Sequence, residues 1–231
     1  NNLQKIDSHE DLPVSVLQEA AVSEVEKRVN EEGLELSTDE KSVGISRTVD
    51  SIKDSVAFRL VPLYHAFVAP LIQPAFAEEK ITIELPNHSH DLLGIIDVAT
   101  TDGVVRDLKV TGRSKGQGEA DSSLQLTWYH VAYQYKTGAP PKEVGLDVLV
   151  KTKVPKTQYI RSDRTDDDVD VLLKRVNHTI TQTDLIVRGE IEPSPAPFNH
   201  PMCSPRFCGY HPLAGGPCKW VSASRKVHDE D

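Results

Sequence analysis

Asp107-Leu108-Lys109 sets a carboxylate and an ammonium two residues apart. In an extended strand, side chains alternate between faces, so both project from one face while Leu108 points to the other. Asp97 ends the preceding apolar run, and the short turn between the two runs can bring its carboxylate beside Asp107 at one sheet edge. Two carboxylates meeting there repel unless a cation sits between them. The chemistry this suits is phosphodiester hydrolysis. Hard Mg²⁺ or Mn²⁺ prefers oxygen ligands, activates water and offsets charge developing on phosphate, while a lysine orients or deprotonates the attacking water. In that scheme Asp97, Asp107 and the main-chain carbonyl of Leu108 are metal ligands, and Lys109 positions water or stabilises the transition state. An exposed ion pair on an edge strand would show the same tripeptide, so the surroundings must decide.

Those surroundings read as short strands framed by helices. Lys80 to Leu85, Leu92 to Val98 and Val104 to Val110 are apolar or alternating runs, separated by turn-forming residues at Asn87 to Asp91 and Thr100 to Gly103. An antiparallel meander is the economical arrangement. Apolar residues recur at helical spacing from Leu12 to Glu32, from Ser46 to Ile72 and from Ala120 to Tyr135. Pro62 and Pro70 should bend or divide the second of these. A polar stretch from Glu31 to Lys41 separates the first two. Val144 to Val154 and Gln158 to Arg161 look like strands, and Asp166-Asp-Asp opens a last helix running to about Ile186, its acids opposing the positive end of the helix dipole. The expected fold class is α/β (α+β), a central mixed sheet flanked by helices. The expected division is an N-terminal helical region over 1–76, a core over 77–190 and a cysteine-bearing tail over 191–231.

Within that order, Gly94-Ile-Ile-Asp97, Val104-Val-Arg-Asp107-Leu-Lys109 and Gln125-Leu-Thr-Trp-Tyr129 resemble, in sequence and spacing, the Gly-x-x-Asp strand, the Asp-x-Lys strand and the Gln-x-x-x-Tyr helix of the PD-(D/E)XK nuclease superfamily. The branch they are most similar to is the RecB-type one, which includes the RecB and AddAB nuclease domains and CRISPR-associated and phage exonucleases. The resemblance covers roughly residues 78 to 136. It implies a restriction-endonuclease-like core and a Mg²⁺- or Mn²⁺-dependent deoxyribonuclease, an exonuclease of single-stranded DNA or DNA ends. It also implies partners in recombination, repair, phage replication or CRISPR adaptation. Gln125 and Tyr129 stand four apart and so share one helical face, from which an amide and a phenol can bind the lysine or the DNA backbone. The loop Ser114-Lys-Gly-Gln-Gly118, with Arg113 before it, can approach phosphates through main-chain N–H groups and Lys115, as any solvated loop of this composition could. By carry-over from the family, Glu79 is an additional acid of the metal site, with Glu78 as its rival.

The family's early Gly-x-x-x-His does not occur, since neither His9 nor His65 has glycine four residues before it. The chain opens on Asn and not Met, so the native N-terminus is expected upstream; either that motif lies there or this member lacks it. Cys203, Cys208 and Cys218 resemble the three C-terminal ligands of iron–sulfur members, whose fourth cysteine would also lie upstream and complete a [4Fe–4S] cluster. Zn²⁺ is the alternative that uses only residues present: Cys203, Cys208, His211 and Cys218 supply three thiolates and an imidazole. Three reduced thiols without metal are the third possibility.

Composition sets the outer bounds. The 231 residues are 38% hydrophobic, enough for one sizeable core. A net charge of −9 means that any DNA contact depends on a local basic surface. No apolar run is long enough to span a bilayer and no signal peptide is visible, and three cysteines suit a reduced compartment, so a cytoplasmic location without membrane association is expected. Two further readings stay open: a nuclease-fold domain that binds DNA or scaffolds without cutting, and a zinc-stabilised interaction module.

Overall fold

In the computed structural model the residues described are 1–32, 44–85, 90–192, 203–204, 207–212, 215–216 and 218. Most of the Glu31–Lys41 stretch and of the Asn87–Asp91 turn, and the charged end of the tail, lie outside them. The chain forms two compact units, Asn1–Ile180 and Thr181–Asp231.

The first unit is built on a five-stranded mixed sheet in the order β1 (Pro74–Ile83), β2 (Leu92–Thr100), β3 (Val104–Thr111), β4 (Glu143–Val150) and β5 (Lys156–Ser162). β1, β2 and β3 form the antiparallel meander, β4 lies parallel to β3, and β5 returns antiparallel to β4. Parallel pairing demands a crossover, supplied by α5 (Gln117–Asp121) and α6 (Leu124–Thr137). Ser123 caps α6 by accepting from Leu126 N, and Gly138 ends it in the left-handed conformation at φ 81°. The fold class is mixed α/β, with the central sheet flanked by helices.

Each sheet face carries its own core. On one, Leu126, Tyr129 and Ala132 of α6 pack on Ile81, Ile96, Val105, Val144, Leu146 and Val148. The other is covered by the N-terminal helices, where Leu60, Val68 and Ile72 meet Ala77, Val98 and Leu149. Those helices are α1 (Asn2–Ser8), α2 (Val14–Glu32), α3 (Ile45–Lys53) and α4 (Val61–Phe67), with a π-helical stretch over Asp54–Leu60 and a short 3₁₀ turn at Ala69–Leu71. The expected helix from Ser46 to Ile72 is therefore divided. Pro62, at the start of α4, has no N–H for an α-type bond, and the chain enters it through the wider π register. α1 was not anticipated; Lys5 holds it down by donating to Ala69 O at 2.8 Å and pairing with Asp11 at 3.0 Å. α7 (Asp166–Val187) follows the sheet, its first turn holding the three acids expected there. Among the described residues no helix is long and apolar enough to cross a membrane.

Candidate active site

β2 and β3 pair only at Val98–Arg106 and Ala99–Val105. One residue further along, where Asp97 and Asp107 come opposite, the ladder stops and the sheet opens. The N–H of Leu108, released from the ladder, donates to Asp97 Oδ2 at 3.3 Å. This split is what places two carboxylates side by side at mid-sheet.

α6 closes the gap from above. The Tyr129 hydroxyl donates to Asp97 Oδ1 at 2.8 Å and stands 3.4 Å from Asp107 Oδ1. Gln125 uses both ends of its amide, donating from Nε2 to the Tyr129 oxygen at 2.9 Å and accepting from Lys109 Nζ at 2.9 Å. Lys109 in turn donates to Asp107 Oδ1 at 3.0 Å. Asp97, Asp107, Lys109, Gln125 and Tyr129 thus form one closed network, and a single tilt of α6 would disturb all of it.

Trp128 governs that tilt. A Cβ added at Gly94 on β2 would overlap its indole, so the glycine of the Gly-x-x-Asp run is the seat on which α6 rests. The indole Nε1 is buried there with no hydrogen-bond partner.

Asp107 is fully buried. Its Oδ2 lies 2.8 Å from Lys109 Nζ but off the direction of a hydrogen bond, and so has no hydrogen-bond partner. Burial pushes its carboxyl above the ordinary value, Lys109 pulls the other way, and the charge of Asp97 adds to the upward push. Burial likewise raises the Tyr129 phenol, helped by its bond to Asp97. The hydroxyl therefore stays protonated and serves as a donor. A buried carboxylate oxygen without a hydrogen-bond donor, next to a second carboxylate, is the donor set a hard divalent cation fits. Of the ligands expected from the sequence, the fold brings the Asp97 and Asp107 side chains together around the Tyr129 hydroxyl. Among the described residues no group of three or more His, Cys, Asp or Glu side chains is placed to hold a metal ion.

The two glutamates within β1 diverge. Glu79 is engaged by Lys136 of α6 at 2.6 Å and is not brought to the network. Glu78 falls opposite Asp97, between the pairs Ala77–Val98 and Glu79–Ile96, and its carboxyl is raised by burial and then by the Asp97 charge. Its φ is +51°, an uncommon conformation for a residue with a Cβ. That twist breaks strand alternation: Ala77 and Ile81 are four apart yet pack on opposite faces. A reading by alternation has no means of locating such a break.

Arg113 is exposed beyond β3, while Lys115 pairs with Glu119. Neither touches the carboxylates. In the second unit Cys203, Cys208 and Cys218 are free thiols. His211 N donates to Cys208 O and Cys218 N to Tyr210 O, both at 2.9 Å, folding the segment into turns.

No family model and no curated protein matches the sequence. Among solved structures, one match is the crystal structure of a protein from Eubacterium rectale described as a "Putative exonuclease", with TM-score 0.49 and 14% identity over 80% of this chain and 71% of that one. At that degree of likeness, the case for function rests on this chain's own residues.

Proposed function

We propose that the chain is a Mg²⁺- or Mn²⁺-dependent DNA exonuclease of the RecB type, acting on single strands or DNA ends. The observation that carries this reading is the network itself: Asp107, buried and short of a hydrogen bond, beside Asp97 at the point where the sheet opens, with Lys109 held within 3.0 Å of it. Asp97, Asp107 and the Leu108 carbonyl would hold the cation, with Glu78 nearer than Glu79 to assist. When bound, the cation lowers the pKa of water and offsets charge growing on the phosphate.

The chain's own residues have separable tasks. Lys109 supplies a positive charge and a proton-bearing nitrogen at the carboxylates, where it orients water or steadies the phosphate. Gln125 fixes the direction of that ammonium by accepting from it and positions the Tyr129 hydroxyl by donating to it. Tyr129 holds Asp97 in place, leaving the second Asp97 oxygen to the Leu108 N–H. Partners in recombination, replication or CRISPR adaptation follow from the resemblance, as does a [4Fe–4S] site at Cys203, Cys208 and Cys218, whereas a Zn²⁺ site at those cysteines and His211 follows from the residues present. Metal analysis of the purified protein tests the last point, and protein free of iron and zinc would remove it.

The reaction is tested with end-labelled single-stranded DNA and Mg²⁺ or Mn²⁺, comparing wild type with Asp107→Ala and Lys109→Ala. Each substitution is expected to slow release of labelled nucleotides by roughly 10²-fold or more, as removal of a preorganised charge at a reacting phosphate does. Equal degradation by all three proteins would eliminate the site.

A further inference from the structure

The chain has nine more acidic than basic residues, yet two of its segments contain no acid at all. Over 108–118 the charged residues are Lys109, Arg113 and Lys115; over 148–160 they are Lys151, Lys153 and Lys156. The fold joins these segments. Thr111 stands beside Val150 at the end of the β3/β4 pair, Lys151 N donates to Thr111 O at 2.7 Å, and the Gln158 amide makes two bonds with the Lys115 main chain at 3.1 and 2.7 Å. From Lys109 to this rim is two residues of strand, about 7 Å.

Neutralisation on the rim is sparse. Glu119 takes up Lys115, but Arg113, Lys151, Lys153 and Lys156 are exposed and none of them ion-pairs with a described residue. Arg59, from the π-helical stretch, donates to the main-chain carbonyls of Thr152 and Lys153. It braces the β4–β5 turn from outside the sheet without bringing a carboxylate to it. A protein that is acidic overall therefore keeps a row of exposed cations, of which only Arg113 feels the charge of Glu119, at the end of the strand that carries Lys109. Such a row selects a polyanion, and its continuity with Lys109 favours the nucleic-acid strand over other polyanions.

We propose that Arg113, Lys151, Lys153 and Lys156 form a phosphate-binding rim that holds a single nucleic-acid strand beyond the bond at Asp97, Asp107 and Lys109, without choosing among bases. This rests on the nuclease reading for the identity of the strand, and the test separates the two. Binding of 5′-fluorescent homopolymeric oligonucleotides is measured by anisotropy in chelator, across a range of salt. Replacing Lys151, Lys153 and Lys156 together by Gln should reduce the slope of log K against log salt by about 2, because each phosphate contact on a single strand contributes roughly 0.7. Affinity near 100 mM salt should fall at least about tenfold. The matching triple Lys→Arg variant should retain wild-type affinity and slope, which separates loss of charge from loss of fold.

Wild-type affinity and slope in the Gln variant would overturn the rim, as would strong preference for one homopolymer or binding transferred to anionic lipid vesicles. If the rim binds as expected while Mg²⁺ and Mn²⁺ elicit no cleavage, the rim stands and the nuclease reading falls. Metal-dependent cleavage by a Gln variant that binds like wild type gives the reverse.

Discussion

Arg106 and Asp107 are neighbours on β3, and their side chains leave the sheet on opposite faces. Both are buried and both meet an opposite charge, with different results. Arg106 donates twice to Asp147, from Nε and from a terminal nitrogen, each at 2.7 Å, and lies 4.3 Å over the Tyr159 ring. Tyr159 is fastened in turn to Glu143 at 2.6 Å and seated over Gly145, where a Cβ would strike the ring. Both Asp147 oxygens are taken, and no atom of the pair is buried without a partner. Across the sheet Asp107 has an ammonium at its edge, a second carboxylate beside it and one oxygen without a hydrogen bond. A satisfied buried pair fixes a fold, whereas an unsatisfied buried carboxylate is a cost that persists where the chemistry needs the group.

The comparison breaks most visibly by stability. Asp147→Ala leaves the Arg106 guanidinium buried without a partner, and removing one member of such a pair costs about 3–5 kcal/mol. In a chain of this size that lowers Tm by roughly 10 °C, at about 2–4 °C per kcal/mol. Asp107→Asn removes a buried charge that is poorly served, and its Tm should hold or rise while cleavage is lost. Thermal denaturation of the two variants is the measurement. Equal loss of Tm in both would show that Asp107 is as structural as Asp147.

Next comes the seat of α6. Gly94→Ala drives a methyl into the Trp128 indole, and overpacking of this kind costs about 1–3 kcal/mol. Because the same helix carries Gln125 and Tyr129, cleavage should fall further than stability does. A Gly94→Ala protein with wild-type Tm and rate would mean that α6 is not held by this contact. Tyr129→Phe is a finer probe, since the ring stays in the core and only the hydroxyl between the carboxylates goes. Loss of a positioning bond of this sort weakens metal affinity by roughly tenfold or more. Mn²⁺ titration by calorimetry reads the change, and unchanged affinity would confine Tyr129 to a packing role.

Much of this was legible in the residues because the controlling patterns are local. Alternation placed Asp107 and Lys109 on one face, and helical spacing placed Gln125 and Tyr129 on another, so four of the five networked side chains follow from spacing of two or four. Strand texture and turn chemistry gave the meander, and Asp166-Asp-Asp the start of α7. What was not legible depends on pairing between segments. The early end of the β2–β3 ladder, which opens the site, leaves no mark in either strand. The positive φ at Glu78 is a backbone state that glutamate does not advertise, so the choice between Glu78 and Glu79 lay beyond the sequence. Lys151 and Lys153 fall within the strand expected over Val144 to Val154 and Lys156 between it and the next; only the β3/β4 register joins that segment to the end of the strand that leads to Arg113. Gly94 belonged to the quoted motif, but its reason, the indole above it, is tertiary.

The smallest effect concerns the flank of α6 that faces away from the carboxylates. His130 follows Tyr129 and is buried, and burial holds its imidazole below the ordinary value, with Arg164 adding to the same push against Asp166 and Asp168. The unfolded chain takes up that proton near the ordinary histidine value of about 6.5 and the folded chain only at lower pH. Its contribution to stability is therefore present above that value and lost as pH falls through the window beneath it. His130→Leu keeps the burial and removes the titration, so the drop in Tm between pH 8 and pH 5.5 should be smaller in this variant than in wild type. The same drop in both proteins would move the acid sensitivity elsewhere among the nine histidines and carboxylates. A smaller drop, with metal affinity unchanged, would show that α6 keeps a fold-stabilising flank electrically separate from the face that carries Gln125 and Tyr129.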